Sequence, residues 1–488
     1  MKLTKVKVQN FRLLHNVELI FNDTTTAIVG KNNSGKTSLT TIFENFLADS
    51  LKFDFSDFSL ENHKDFIRAY ELYKSKTEDN EEETLKKIQN TIPKIQLYLT
   101  IKYEENDNWA LIKPFLTSLD DSDEITVLCE YAPKSTLKFL EKLSTPINDG
   151  DFNDKILLKK INEFYQDYYE INVRPYSESE EYNNVPHADF KNLISAKFIK
   201  AQRILADGNS ENREKLSKVF DNQFNYQPKE DATTHDALSK VLSSANESIE
   251  NQLNSFFTKY IGHFSSFGFP GLGNEKIVLK SLLKQDNLFK DNVKLFYSLD
   301  DNNHFPEKYN GLGYSNLIYI IAQIIDFHNK VLESKDKINL IFIEEPEAHT
   351  HPQMQSVFVK AIGNFLKDIN YQVILTTHSS HILAGSDPQS IRYFSKKENQ
   401  TTVKPLALKD DFLKQYLTLG ICDLFFADKA ILVEGVVERI LLPVFIEKLN
   451  LKLSEQYITV IEVGGAYANK FKALLEILEL KTLIITDI

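Results

Sequence analysis

The residues best suited to do chemistry fall into a glycine loop, an acidic strand end with a histidine after the next strand, and a second acidic unit near the carboxyl end. Gly30-Lys31-Asn32-Asn33-Ser34-Gly35-Lys36-Thr37 places four residues between two glycines and follows them with lysine and threonine. That spacing lets several backbone amides turn inward on one phosphate, while the helix that follows adds the positive end of its dipole. Lys36 would neutralise the β- and γ-phosphates and the Thr37 hydroxyl would bind magnesium, with Asn32, Asn33, Gly35 and Ser38 completing the nucleotide cradle.

Leu340-Ile341-Phe342-Ile343-Glu344-Glu345 is an apolar run ending in two carboxylates. A buried strand of this kind delivers its acids at the carboxyl end of an open α/β sheet, where ligands bind. Glu344 would hold magnesium, directly or through water, and Glu345 would orient or deprotonate the attacking water. His378 follows the apolar Val373-Ile374-Leu375 and would sense the γ-phosphate from the end of the next strand. His349, His351, His378 and His381 suggest zinc as an alternative, but nucleotide chemistry already accounts for these strand ends.

The elements needed to position these groups are readable from pattern. Residues 3–9 and 17–21 alternate as a two-stranded start, Thr26 to Gly30 is a short buried strand, and Lys36 to Leu47 reads as a helix. Glu61 to Asn90 is charged and reads as an exposed helical excursion. Ile95 to Tyr103 and Ile125 to Tyr131 alternate as strands of an antiparallel sheet, and Asp151 to Tyr169 looks helical. Residues 211–264 carry apolar positions at helical spacing and suit either a dimerisation arm or an intramolecular helical subdomain. From Gly311 to Leu383 helices and strands alternate as in a parallel sheet, and Gly385 to Asp428 is read as a link.

Composition bounds the rest. The chain has 488 residues, enough for two or three domains, and its 42% hydrophobic and 26% charged residues are those of a globular protein. No apolar run approaches the ~18 to 20 residues that span a bilayer, and the amino terminus has no signal-peptide core, so a cytoplasmic protein without membrane partners is expected. Cys129 and Cys422 are too few for a disulfide framework and read as buried small hydrophobes. A net charge of −12 argues against a protein that coats nucleic acid, while Lys191, Lys197, Lys200 and Arg203 offer either a local basic groove or ordinary solvated charges.

The loop, Gly311-Leu312-Gly313-Tyr314-Ser315, Glu344-Glu345-Pro346-Glu347-Ala348-His349-Thr350-His351-Pro352 and Thr377-His378-Ser379 together resemble the ABC-type ATPases related to chromosome-maintenance and recombination-repair proteins. The resemblance implies two heads sandwiching two ATP molecules. Gly311, Gly313 and Ser315 would be a weakened signature touching the nucleotide of the other head, since the usual Leu-Ser-Gly-Gly-Gln is absent. Arg12 sits where such ATPases often place a basic nucleotide contact, with a surface arginine as the alternative.

The second acidic unit begins at Ala430-Ile431-Leu432-Val433-Glu434-Gly435, continues through a strand from Ile458 and ends at Leu483-Ile484-Ile485-Thr486-Asp487-Ile488. Carboxylates at the ends of neighbouring parallel strands converge on one site, which is how hard divalent metals are held for phosphodiester cleavage. The pattern is similar to a Toprim domain. The likeness implies that Glu434 and Asp487 bind magnesium, or manganese or calcium, with Glu438 as an auxiliary. The sequence ends one residue before the family's second aspartate would fall, so this chain is expected to hold metal poorly, to need the rest of a longer protein, and not to cut nucleic acid unaided.

An ABC-type ATPase followed by Toprim resembles the overcoming-lysogenization-defect (OLD) nucleases. The expectation is an α/β protein: an ABC-type P-loop ATPase in residues 1–208 and 269–425, interrupted by a helical insertion at 209–268, followed by a partial Toprim domain at 426–488. The implied function is ATP-gated, metal-dependent DNA cleavage in bacterial anti-phage defence, by a homodimer or higher oligomer and with a possible helicase or reverse-transcriptase partner carrying RNA. The alternative is a non-nucleolytic ATPase sensor whose Toprim remnant recruits an effector. A repair clamp would require a long coiled coil, and residues 211–264 are too few for one.

Overall fold

The computed structural model describes residues 1–48, 53–76, 81–118, 123–144, 153–180, 182–200, 240–252, 255, 296–298, 304–306, 312–332, 335–348, 350–365, 371–406, 419–449, 453 and 456–486. They fall into two compact units, Met1–Ala201 with Val331–Ile488, and Gln202–Lys330.

The first unit opens with β1 (Lys2–Phe11) and β2 (Leu14–Ile20), joined by a tight turn, and then β3 (Thr25–Gly30). β4 (Ile95–Lys102), β5 (Glu124–Pro133), β6 (Tyr169–Pro175) and β7 (Ile194–Ile199) follow. An antiparallel sheet forms in the order β2-β1-β4-β5-β6. Its alternation is plain in β4, where Ile95, Leu97, Leu99 and Ile101 are buried and the residues between them are not. The core beneath is rich in aromatic rings: Phe53 stacks on Tyr131 at 4.7 Å and meets Phe46 edge-on at 4.9 Å. The charged stretch after Glu61 forms helices Leu60–Lys74 and Glu81–Thr91, as expected, but it is not simply exposed. Phe66, Ala69, Tyr70 and Ile88 are buried in this same core. Heavy surface charge concealed a narrow apolar stripe.

In the second unit, residues 240–252 are helical, β8 (Phe296–Ser298) pairs antiparallel with β9 (His304–Pro306), and the helix Leu312–Leu332 follows. Most of 211–264, and with it the reading of a dimerisation arm, lies outside the described residues.

The nucleotide sheet adds β10 (Ile338–Glu344), β11 (Tyr371–Thr377), β12 (Ile391–Lys397) and β13 (Gln400–Pro405) to β3 and β7, in the order β13-β12-β3-β11-β10-β7. All neighbours pair in parallel except β12 with β13. Both faces are covered, so β10 and β11 are buried throughout. Successive residues of β3 enter different cores: Ile28 joins Phe342, Ile374 and Phe394, whereas Ala27 and Val29 join Ile391 and Tyr393. Residues 391–405 are therefore part of this sheet, and the described link reduces to the short helix Leu419–Cys422 and the turn Asp423–Phe425.

Beyond the link, β14 (Lys429–Val433), β15 (Ile458–Glu462) and β16 (Lys481–Ile485) form a parallel sheet in the order β15-β14-β16. Ala430, Leu432, Ile461, Val463, Leu474 and Leu478 share one core with Leu424 and Phe425 of the link and with Ala27, Val29, Ile391 and Tyr393 of the nucleotide sheet. The two acidic units are thus built around a common hydrophobic layer. Among the described residues of this unit, the helix Val436–Lys448 differs from the other long helices in burying no residue; Val437 is 64%, Ile440 63% and Phe445 50% exposed. Among the described residues no helix is long and apolar enough to cross a membrane.

Candidate active site

The carboxyl ends of β3, β11 and β10 lie side by side. Val29 pairs with Thr377 and Thr376 with Glu344, so the glycine loop, His378 and the acidic pair leave the sheet at one level. The helix Lys36–Leu47 starts at Gly35, whose φ of 92° belongs to the left-handed region. A Cβ there would lie 2.8 Å from Thr401 Oγ1 and 3.2 Å from Leu14 Cδ2, so β13 and the β1–β2 turn press on the loop and only glycine fits. Thr401 fastens both neighbours, donating from Oγ1 to Ser34 O at 2.8 Å and from its backbone to Leu13 O at 2.9 Å.

Lys36 is 5% exposed and donates from Nζ to the carbonyls of Gly30 and Lys31, both at 2.8 Å. Burial pulls its pKa down to about 8, against the opposing pull of Glu345 and Glu347. Asn32, Asn33 and Thr37 are exposed at the mouth of the loop, while Ser38 is buried behind it. Such a loop fits a polyphosphate, with donors lining its inner surface and a cation at its centre.

Glu344 and Glu345 part company at the end of β10. Glu345 takes a left-handed φ of 43°, donates its backbone N–H to Thr376 O at 2.9 Å, and places Oε1 3.4 Å from His378 Nε2. Glu344 turns inward toward Thr40, and its Oε1 is shielded from solvent without a hydrogen-bond partner among the described residues. An enclosed carboxylate oxygen left unpaired is costly. A divalent cation beside the phosphate loop would satisfy it, so the acidic end of β10 fits the metal that accompanies a nucleotide.

In the last sheet, Glu434 directly follows β14 and Glu438 lies in the first turn of the next helix; a Cβ on Gly435 would sit 3.0 Å from Glu438 Oε2. The two carboxylates flank a glycine turn and are hard oxygen donors, the chemistry that magnesium takes. Val433 pairs with Ile485, so β14 and β16 end together. Asp487 lies outside the described residues. Among the described residues there is no cluster of three or more potential metal ligands, at this site or at the histidines weighed for zinc.

Other sequence-predicted positions are scattered. Arg12 donates from Nε to the nearly buried Asp57 at 2.7 Å, one residue from the turn that presses on Gly35. Ser315 lies in the first turn of the helix Leu312–Leu332, in the other unit. Lys200 is paired with Glu44 at 2.7 Å, and Arg203 is outside the described residues. Cys129 and Cys422 are buried, as expected. Two features had escaped the sequence reading. Glu347 accepts hydrogen bonds from Thr377 and His378, and Lys31 of the phosphate loop pairs with Asp428 at 2.8 Å, just ahead of β14. Glu347 was hidden inside a motif already read for its first two acids, and no local pattern joins Lys31 to Asp428.

Comparison with known proteins bears on this arrangement. A family model described as "AAA ATPase domain" matches residues 1–383, and one described as "Overcoming lysogenization defect protein-like, TOPRIM domain" matches residues 425–488. Endonuclease GajA of Bacillus cereus (strain HuB5-5) is 32% identical over 95% of this chain and 70% of its own length. The chain belongs to the OLD family. It carries that family's ATPase and TOPRIM nuclease domains, which use a nucleotide and a divalent metal. The Old nuclease of Escherichia phage P2 is 24% identical over 58% of this chain and 48% of its own length, so the OLD-family chain described here spans about half of that relative. A solved SMC head bound to the C-winged helix domain of ScpA aligns with a TM-score of 0.40 at 14% identity, over 85% of this chain and all of that one.

Proposed function

We propose that the protein is the ATP-binding and ATP-hydrolysing subunit of an OLD-family DNA endonuclease that acts in the cytoplasm in anti-phage defence. The observation that carries this reading is the convergence of β3, β11 and β10, which sets Lys36, Glu344, Glu345 and His378 around one loop on a core shared with the TOPRIM sheet. The relative named an endonuclease, similar along almost all of this chain, supports the activity. Asn32, Asn33, Gly35, Lys36, Thr37 and Ser38 cradle the phosphates of ATP. Glu345 orients the attacking water and His378 donates to the γ-phosphate. Arg12 approaches the same nucleotide, and Ser315 reaches the nucleotide of a second copy, which makes the working state a homodimer or larger. Thr37 and Glu344 would hold magnesium, which neutralises phosphate charge when bound. Glu434, Glu438 and Asp487 would hold the cation that supports phosphodiester cleavage, with magnesium, manganese and calcium as the candidates.

The test is cleavage of plasmid DNA with magnesium by protein made from the complete native gene, with and without ATP, beside Glu434→Ala and Lys36→Ala. Cleavage lost in Glu434→Ala and altered in its ATP response in Lys36→Ala is expected. Absence of cleavage under every condition would favour an ATPase sensor that recruits a partner effector.

A further inference from the structure

The turn after β10 carries a third carboxylate that the chemistry above leaves unused. Glu347 treats its two oxygens differently. Oε1 accepts from Thr377 Oγ1 at 2.9 Å and from the backbone N–H of His378 at 2.5 Å, whereas Oε2 is enclosed with no hydrogen-bond partner among the described residues. Thr377 Oγ1 accepts in turn from the Ser379 N–H at 2.9 Å. One carboxylate oxygen therefore gathers three consecutive residues at the end of β11. The Ser379 hydroxyl then caps the helix Ser380–Gly385, accepting from the N–H groups of His381 and Ile382 at 3.1 and 3.3 Å.

His378 is consequently held at two points by acids two residues apart. Its backbone is fixed by Glu347, and its ring nitrogen lies 3.4 Å from Glu345. The other side of this ring of contacts is equally defined: the Glu345 N–H donates to Thr376 O, and the turn closes through Ala348 N to Glu345 O at 3.0 Å and Thr350 N to Glu347 O at 2.9 Å. The distance between the Glu345 carboxylate and the His378 imidazole is set jointly by the 345–348 turn and by the bond from Glu347.

We propose that Glu347 is a positioning residue for ATP hydrolysis, holding the switch histidine in register with Glu345 while leaving nucleotide binding to the phosphate loop. The inference rests on the ATPase reading of the site. Acceptor geometry is the property used: Oε1 takes the bonds from Thr377 and His378, and burial pushes the carboxyl above its ordinary value against the pull of those bonds. An amide keeps the accepting oxygen and is tolerated. A methyl group removes it, frees the 377–379 segment and lets the His378 ring leave Glu345. Misplacement of about 1 Å in such a constellation costs on the order of 100-fold in rate.

The experiment is steady-state ATP hydrolysis by the full chain, with a fluorescent ATP analogue reporting binding, for wild type, Glu347→Gln, Glu347→Ala, Thr377→Val and Lys36→Ala. Glu347→Ala should lose roughly 10- to 100-fold in kcat with KM and analogue Kd nearly unchanged, Glu347→Gln should restore most of the rate, and Thr377→Val should fall between them. A Gln variant as impaired as Ala, a loss expressed in KM and Kd, or an Ala variant with wild-type kcat each overturns the proposal. If Glu347→Ala does not fold, Thr377→Val decides by the same split: reduced kcat at constant KM supports it and unchanged kcat overturns it. Wild-type turnover with no binding by Lys36→Ala upholds the ATPase reading independently of how the Glu347 variants behave.

Discussion

Replacing Glu344 by glutamine should make the protein more stable without metal and less stable with it. Glu344 is 9% exposed and its Oε1 is enclosed without a partner among the described residues. Burial pushes the carboxyl above its ordinary value of 4.5; the Thr40 hydrogen bond and Lys200 oppose that shift, and Glu44 and Glu345 add to it. A carboxyl raised on folding gives stability that is fully present below its unfolded pKa and is lost as pH rises through the folded value. Metal-free wild type should therefore weaken as pH climbs from about 4.5 through that raised value, and the variant should not. Leaving a charged oxygen unsatisfied costs about 2 to 3 kcal/mol and a neutral amide about 1, so the net gain near neutral pH is about 1 to 2 kcal/mol, or a few degrees at most in Tm. Addition of magnesium with a non-hydrolysable ATP analogue at about 100 times Kd adds roughly 2.7 kcal/mol to wild type, but only about 0.4 to a variant whose Kd has risen 100-fold. The order of the two melting curves inverts. Differential scanning calorimetry in EDTA and then in magnesium with the analogue reads both halves. A variant that melts below wild type in EDTA, or that keeps the whole metal-dependent gain, refutes the assignment of an unpaired metal-facing oxygen to Glu344.

Other perturbations separate packing from electrostatics. Phe53→Ala removes a ring stacked on Tyr131 in the antiparallel-sheet core and should cost about 3 to 5 kcal/mol, read as a shift in denaturation midpoint; a cost below 1 would contradict the packing. Asp428→Asn breaks an exposed pair worth less than about 1 kcal/mol and should leave Tm unchanged. Freeing Lys31 beside the phosphate loop should lower the KM for ATP by roughly two- to fivefold at low salt, an effect that vanishes in 0.5 M salt; an unchanged KM would place Lys31 out of reach of the nucleotide. Burial holds the thiols of Cys129 and Cys422 well above their ordinary range, so a thiol reagent at pH 8 should label neither in the folded protein and both after denaturation.

The phosphate loop, the strand ending at Glu344 and the helix Lys36–Leu47 were legible because local pattern and buried position agree there. Other elements hid for identifiable reasons. β12 and β13 turn through Lys396, Lys397, Glu398, Asn399 and Gln400, so a polar hairpin end overshadowed Ile391, Tyr393 and Phe394, which with Arg392 pair with β3. β6 and β7 are short and only partly buried, and each follows directly on a helix, Asp154–Tyr168 and His187–Leu193 respectively. The bonds of Glu347 to Thr377 and His378 are beyond a linear reading, since they depend on the end of β11 being brought beside that of β10 by parallel pairing. The common core of Val29, Tyr393, Leu432 and Leu474 is likewise a product of topology, because none of these residues is near the next in sequence.

The outward apolar face of the helix Val436–Lys448 has a practical meaning for any measurement of mass. Copies of this 488-residue chain should gather through Val437, Ile440 and Phe445 whenever salt or crowding favours apolar contact, and mild detergent should disperse them. The proposed association of ATPase heads should instead answer to nucleotide and be blocked by Lys36→Ala. Light scattering repeated with detergent and with ATP therefore sorts one kind of clustering from the other: stickiness follows the detergent, and assembly follows the ATP.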